Sequence, residues 1–267
     1  MAIPLEDNFA DIIGKAMRGL GLADSAVASR AGLALEAVQR LRAGHFNEHA
    51  ARLAAPVLGL NARALIEIGQ SRYKPAEVGA MDGLAQFNTP FNDMTVNSYV
   101  VFDPRTKIAA TFDTGADCSG MVKLGVKIEQ IFLTHIHEDH VLQLDRLKQE
   151  TGARAYVSER EPMTGTESFA DGRSFQIGGL KVETRRTSGH AHGGVTYIIT
   201  GLAKRLAIVG DAIFAGSMGG SQTAYAEALR TNRENILSLP NDTIICPGHG
   251  PLTTVGEEKR HNPFFAD

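Results

Sequence analysis

Cysteine is nearly absent: the 267 residues hold two, Cys118 and Cys246, far apart and in no metal-binding pair. That argues against a disulfide framework and fits a reducing compartment. No apolar run approaches the roughly 18–20 residues that a membrane span needs. The start, Met-Ala-Ile-Pro-Leu-Glu-Asp, lacks the basic residues and long apolar core of a secretory signal. A cytoplasmic protein with no membrane partner is expected. Strong charge of either sign is missing too, the net being −3. Residues 1–75 hold nine Lys/Arg against seven Asp/Glu, and residues 76–267 hold 18 against 23. A surplus of two positive charges is low for a domain that must hold DNA through its phosphates. There is no low-complexity segment, no short-period repeat and no Gly-x-Ser-x-Gly elbow to carry a serine nucleophile.

What is present divides in two. Residues 1–75 read as a small all-α bundle, with apolar positions at helical spacing through Phe9, Ile12, Ile13 and Ala16, then Val27, Ala28 and Ala31, then Leu35, Val38 and Leu41. Gly19–Gly21, Gly32 and Gly44 punctuate these runs, Leu53–Leu58 and Ala62–Ile68 add two short helices with Asn61 as a cap, and a linker begins at Gly69. Residues 76–267 read as an α/β layered domain. Strands are expected at Thr95–Phe102, Lys107–Phe112, Gln130–Thr134, Ala153–Val157, Leu180–Arg185, Val195–Thr200, Arg205–Val209 and Thr243–Cys246. Helices are expected at Cys118–Leu124, Asp139–Glu150 and Ala224–Ser238.

The chemistry concentrates in Thr134-His135-Ile136-His137-Glu138-Asp139-His140, where a third of the nine histidines follow directly on an apolar strand. Alternation at a strand end puts His135 and His137 on one side. Asp139 and His140 turn into the next helix and can face a second ion. Imidazole and carboxylate suit Zn²⁺ and, less exclusively, iron or manganese. Three later strand ends repeat the pattern, with His190 in Ser188-Gly189-His190, Asp211 in Val209-Gly210-Asp211, and His249 in Pro247-Gly248-His249-Gly250.

The series His135-x-His137-x-Asp139-His140, His190, Asp211, His249 resembles the full ligand signature of the metallo-β-lactamase superfamily, over about residues 85–260. The resemblance implies a four-layer αβ/βα sandwich with two divalent metal ions at one edge. By it, His135, His137 and His190 hold the first ion, Asp139, His140 and His249 the second, and Asp211 bridges. Asp113-Thr114-Gly115 matches an Asp-x-Gly turn of the same family, with a supporting and not a ligating carboxylate. Two cations sharing a water lower its pKa from about 15.7 toward about 7, which makes a bridging hydroxide the expected nucleophile. Asp139 is the expected catalytic residue, steering or accepting the proton as well as ligating.

The closing run Pro247-Gly248-His249-Gly250-Pro251-Leu252-Thr253-Thr254 resembles the short bacterial glyoxalase-II-like hydrolases, which cleave hydroxyacylglutathione thioesters. A small-molecule thioester or ester is the substrate that this implies. No counterpart is expected here for the helical domain with which full-length glyoxalase II enzymes grip glutathione. A lactonase, another ester hydrolase of the fold and a one-iron persulfide dioxygenase are the alternatives. Cys246 is expected as a buried strand residue and Cys118 at a helix start. His45, His49, His192 and His261 show no partner pattern.

Residues 24–43 match a helix-turn-helix pattern at Ala28, Gly32 and Val38 and resemble the phage-repressor type, a five-helix bundle. The reading implied is DNA binding, with the whole chain a regulator whose metal domain senses a metabolite. Against it, the start of the second helix is Ala34-Leu35-Glu36-Ala37, apolar and acidic where base reading wants Arg, Lys, Asn or Gln. The expectation is a bundle that keeps the fold without the DNA, and an outward Leu35 that contacts protein, as in a homodimer.

Overall fold

The computed structural model describes residues 3–266. Five helices come first: α1 (Phe9–Leu20), α2 (Asp24–Ala31), α3 (Leu35–Arg42), α4 (Glu48–Val57) and α5 (Ala62–Gly69). Asn8 caps α1 in a reciprocal box with Asp11, and Asn47 and Asn61 accept from Ala50 N and Ala64 N at the starts of α4 and α5. Gly21 and Gly32 end α1 and α2 in the left-handed conformation.

Two six-stranded sheets follow. The first runs in chain order: β1 (Leu84–Phe91), β2 (Met94–Phe102), β3 (Ile108–Phe112), β4 (Lys127–Phe132), β5 (Arg154–Ser158) and β6 (Glu167–Phe169). The second holds β7 (Ser174–Ile177), β8 (Leu180–Arg186), β9 (Val195–Thr200), β10 (Leu206–Gly210), β11 (Ile244–Pro247) and β12 (Thr253–Thr254), also neighbour to neighbour. Strand alternation builds the layers. Phe112, Phe132, Tyr197, Ile208 and Cys246 point inward into the core between the sheets. Ala109, Ile131 and Leu133 point outward under α6 (Ser119–Val122) and α8 (Leu144–Thr151). Ile198, Ala207, Val209 and Ile245 point outward on the other side, under α9 (Tyr225–Asn235) and α10 (Val255–His261). The result is the expected four-layer αβ/βα sandwich preceded by helices.

The five N-terminal helices share that last core. Ile12, Ile13, Leu41, Leu58 and Leu65 belong to one buried cluster with Ile198, Val209, Tyr225 and Phe264. Polar contacts cross the same junction: Asn61 N donates to Pro263 O, Arg63 to Arg260 O, and Lys15 to Met218 O.

Several sequence expectations need correction. The single helix expected over Asp139–Glu150 is two, α7 (Glu138–Val141) and α8. The carbonyl of His140, which a continuous helix would give to Leu144, accepts instead from Thr114 N and Thr114 Oγ1, while Gln143 N donates to Thr114 Oγ1. The strand expected to run to Thr134 ends at Phe132, so His135 and His137 sit on the following loop. The helix over Ala224–Ser238 stops at Asn235, and β1, β6, β7, β12 and α10 were unforeseen. Those strands are short or mixed in polarity, as edge positions allow. His261 does have partners: its Nδ1 lies 2.9 Å from Glu67 Oε2 and its ring stacks on Tyr73.

Candidate metal centre

Strand ends deliver every side chain of the centre. The loop after β4 carries His135, His137 and, through α7, Asp139 and His140. The ends of β8, β10 and β11 lead to His190, Asp211 and His249 on the facing sheet. All seven converge in two adjoining groups, His135, His137, His190 and Asp211 in one, Asp139, His140 and His249 in the other, with donor atoms of each group within 4.8 Å of one another. Asp211 touches both. Its Oδ2 is 3.4 Å from His190 Nε2 and 3.4 Å from His249 Nε2, and its Oδ1 is 3.3 Å from His140 Nε2. Asp139 Oδ2 lies 3.2 Å from His249 Nε2 and 3.5 Å from His140 Nε2.

Outer partners orient the rings. His190 Nδ1 donates to Gly220 O at 2.9 Å and His249 Nδ1 to Thr95 O at 2.7 Å, since a carbonyl only accepts. His140 Nδ1 donates to Asp113 Oδ2 at 2.8 Å. Thr134 Oγ1 spends its proton on Asp113 Oδ2 (2.7 Å), so it accepts from His135 Nδ1 at 3.0 Å. In the neutral rings these four Nδ1–H bonds aim the Nε2 lone pairs inward, the arrangement of carboxylate- or carbonyl-oriented metal histidines.

That arrangement fits cations better than it fits protein alone. His135 Nε2 and His190 Nε2 each lie 3.0 Å from His137 Nδ1, and one His137 proton cannot serve both lone pairs. Among the described residues, the buried His140 Nε2 and Asp211 Oδ1 have no hydrogen-bond partner, although they are near each other. Orphaned polar atoms of this kind are costly unless something else binds them.

The electrostatics agree. Burial pushes the imidazole of His135 well below its usual range, aided by the neighbouring His140, and burial lowers His190 as well. Burial alone would raise Asp211, yet His140 and His249 hold its carboxyl well below the usual range. Burial alone would lower His140 and His249, yet Asp113 and Asp211 raise the first to about 10, and Asp211 and Asp139 raise the second to about 11. A proton and a cation compete there for the same lone pair, so cation binding releases protons.

Sequence reasoning missed the residues that make room. A Cβ on Gly248 would lie 2.2 Å from Asp211 Oδ1 and 2.7 Å from His140 Cε1, so only glycine lets β11 pass the centre. Asp113, expected from the sequence as a supporting carboxylate, adopts a left-handed φ of 57° and, besides His140, holds Thr134 through both its N–H and its hydroxyl. The N-terminal segment also reaches the centre. Phe214 packs edge-on against His249, Lys15 lies over the Phe214 ring, and Asp7 pairs with Lys15 and accepts from Ser217. Nothing in the local sequence of residues 3–15 signals that contact.

Comparison with known proteins gives a consistent picture. The family model described as metallo-beta-lactamase superfamily matches residues 92–249. A hydroxyacylglutathione hydrolase of Haemophilus influenzae is 28% identical over 205 residues, spanning 66% of this chain and 95% of that one. The crystal structure of the B3 metallo-beta-lactamase BLEG-1 superposes with a TM-score of 0.58 at 26% identity, covering 67% of this chain and 99% of the other. A further chain, solved in a di-iron-bound form, gives a TM-score of 0.53 at 25% identity with the same coverage of 67% and 99%.

Proposed function

The chain belongs to the metallo-β-lactamase superfamily of metal-dependent hydrolases, and from that premise we propose that it is a cytoplasmic two-metal hydrolase of thioesters. The observation that carries the reading is the position of Asp211, within 3.4 Å of His190 in one ligand group and of His249 in the other. His135, His137 and His190 would hold one cation and Asp139, His140 and His249 the second, with Asp211 placed to serve both. When bound, two divalent cations (zinc in our reading, iron or manganese otherwise) supply Lewis acidity and lower the pKa of water toward about 7.

The chain's own residues then have distinct tasks. Asp139 is half-buried, its carboxyl held below the usual range despite burial by the His249 hydrogen bond, so it stays ionised and able to accept a proton from attacking water. Asp113, through Thr134 and His140, keeps both halves of the His-x-His-x-Asp-His loop in register. Thr95 O and Gly220 O fix His249 and His190. In the reaction, water oxygen bonds to the acyl carbon as Asp139 takes its proton, the carbon–sulfur bond breaks, and that proton passes to the departing sulfur, leaving the acid and the thiol.

The thioester class is supported by the hydroxyacylglutathione hydrolase that this chain spans almost end to end. The alternatives of lactone or other ester hydrolysis use the same centre. A one-iron persulfide dioxygenase fits less well, because one ion among His135, His137 and His190 leaves the buried His140 Nε2 without a partner. The N-terminal helices serve the hydrolase in this reading, since their core is continuous with its outer layer. DNA binding, and a regulator that senses a metabolite, are the readings set aside.

The test is a panel on protein reconstituted with zinc, iron or manganese: S-lactoylglutathione, simpler acyl thioesters, lactones, a β-lactam and glutathione persulfide. Thioester hydrolysis should dominate. Turnover of a β-lactam or a persulfide with no thioester hydrolysis would overturn the assignment. Gel-shift against random DNA pools closes the regulatory reading if no sequence is selected.

A further inference from the structure

A groove of about 750 Å³ lies beside the His249 loop, lined chiefly by Ile3, Leu5, Tyr73, Val78, Pro251 and Leu252. Its size is that of a small-molecule site. All of its lining falls outside residues 92–249, the stretch shared with the family. It is built from the N-terminal segment, the segment after α5, Gln86 on β1 and the residues just past His249.

The groove and the metal centre are linked along the chain by the run His249–Pro251. Pro251 is two peptide steps from His249, so their Cα atoms are at most about 7.6 Å apart. The N-terminal segment crosses the step between them: a Cβ on Gly250 would lie 3.2 Å from Glu6 N and 3.6 Å from Pro4 O. The walls are held in place from behind. Leu5 packs on the outer core, and Val78 and Leu252 pack on the core between the sheets.

Two of its polar side chains are already committed. The Tyr73 hydroxyl donates to Glu258, and Gln86 Nε2 donates to Asn97 Oδ1. Lys74 and Glu77, both exposed at the rim, oppose each other in charge. Such a groove offers apolar surface and no net charge, which selects an aliphatic ligand over an ion. We propose that this groove binds the aliphatic acyl chain of the substrate, so that the N-terminal segment sets substrate length; the assignment to substrate rests on the thioester reading above.

Two measurements on the full-length protein test it. Linear alcohols from ethanol to octanol are titrated while methyl NMR signals of Ile3, Val78 and Leu252 are followed. Affinity should climb by up to about fourfold per methylene, the worth of one buried CH₂, with shifts at those methyls. Ile3→Glu and Val78→Glu, each checked for native fold by circular dichroism, should abolish the chain-length dependence. In parallel, the ratio of kcat/KM for octanoyl over acetyl thioester should exceed one in the parent and collapse in both variants. Methyl shifts without thioester hydrolysis would sink the thioester reading and leave the groove standing as an aliphatic site. Absent shifts, or affinity flat with length, would overturn the groove whatever the enzyme hydrolyses.

Discussion

Asp211 is the residue on which the centre turns, because its two oxygens face members of both ligand groups. Replacing it with Ala removes the anion that holds two dications together. Metal analysis of Asp211→Ala should find fewer than one ion per chain against two in the parent, with hydrolysis lost. Two-ion occupancy in the variant would refute the bridging role. Gly248 makes the complementary case by what it leaves empty. A methyl there collides with Asp211 Oδ1 at 2.2 Å, and the obstacle on the other side is the buried ring of His140. Gly248→Ala should therefore lose metal affinity at least as severely as loss of a single ligand, while circular dichroism stays native. The histidines and aspartates were legible in the sequence because each follows a strand and few other reasons put such groups there. Gly248 was not, since a glycine next to a histidine reads only as a turn until the facing loop is known.

At the scale of elements, the break between α7 and α8 shows a ligand placed by a tertiary bond in preference to a helical one. Thr114 takes the His140 carbonyl with both N–H and hydroxyl. Thr114→Val keeps the shape and removes the hydroxyl, which should cost about 1–2 kcal/mol in chemical denaturation and weaken metal binding more than that loss explains. A second element, α10, carries the fully buried Glu258, which accepts from Thr253, Gly216, Asn262 and Tyr73. Burial raises its carboxyl from the usual 4.5 to about 7 in spite of those bonds. The folded chain thus holds a proton there that the unfolded chain releases. Its stabilising contribution is complete below about pH 4.5 and fades as pH climbs through about 7. In Glu258→Gln the amide mimics the protonated acid, with the Tyr73 and Thr253 hydroxyls free to turn and accept. Thermal melts from pH 4.5 to 8 should fall less steeply with pH in Glu258→Gln than in the parent. Parallel slopes would show that Glu258 ionises as freely folded as unfolded.

For the molecule as a whole, the consequence of the shared outer core is that the N-terminal helices are not an appendage. Removing residues 1–75 uncovers Ile198, Val209 and Ile245, which the helices help to bury. We expect that truncation to lose most of its soluble yield, with the remainder aggregated on size exclusion. A soluble, monomeric, fully active truncation would show that the helices are dispensable. Leu35, 45% exposed on α3, stays available for a second copy of the chain. Sedimentation of Leu35→Glu at several concentrations reads that directly, the dimer reading requiring a shift toward monomer. The α/β layering, the helical N-terminus and the metal-type side chains were determined by the sequence alone, because strand and helix periodicity and ligand chemistry are local properties of a chain. Only the tertiary structure decided that His140 hands its carbonyl to Thr114, that Glu258 is buried, and that the segment before α1 packs beside the His249 loop. Each of those depends on residues far apart along the chain meeting in one place, and no local pattern records a meeting of that kind.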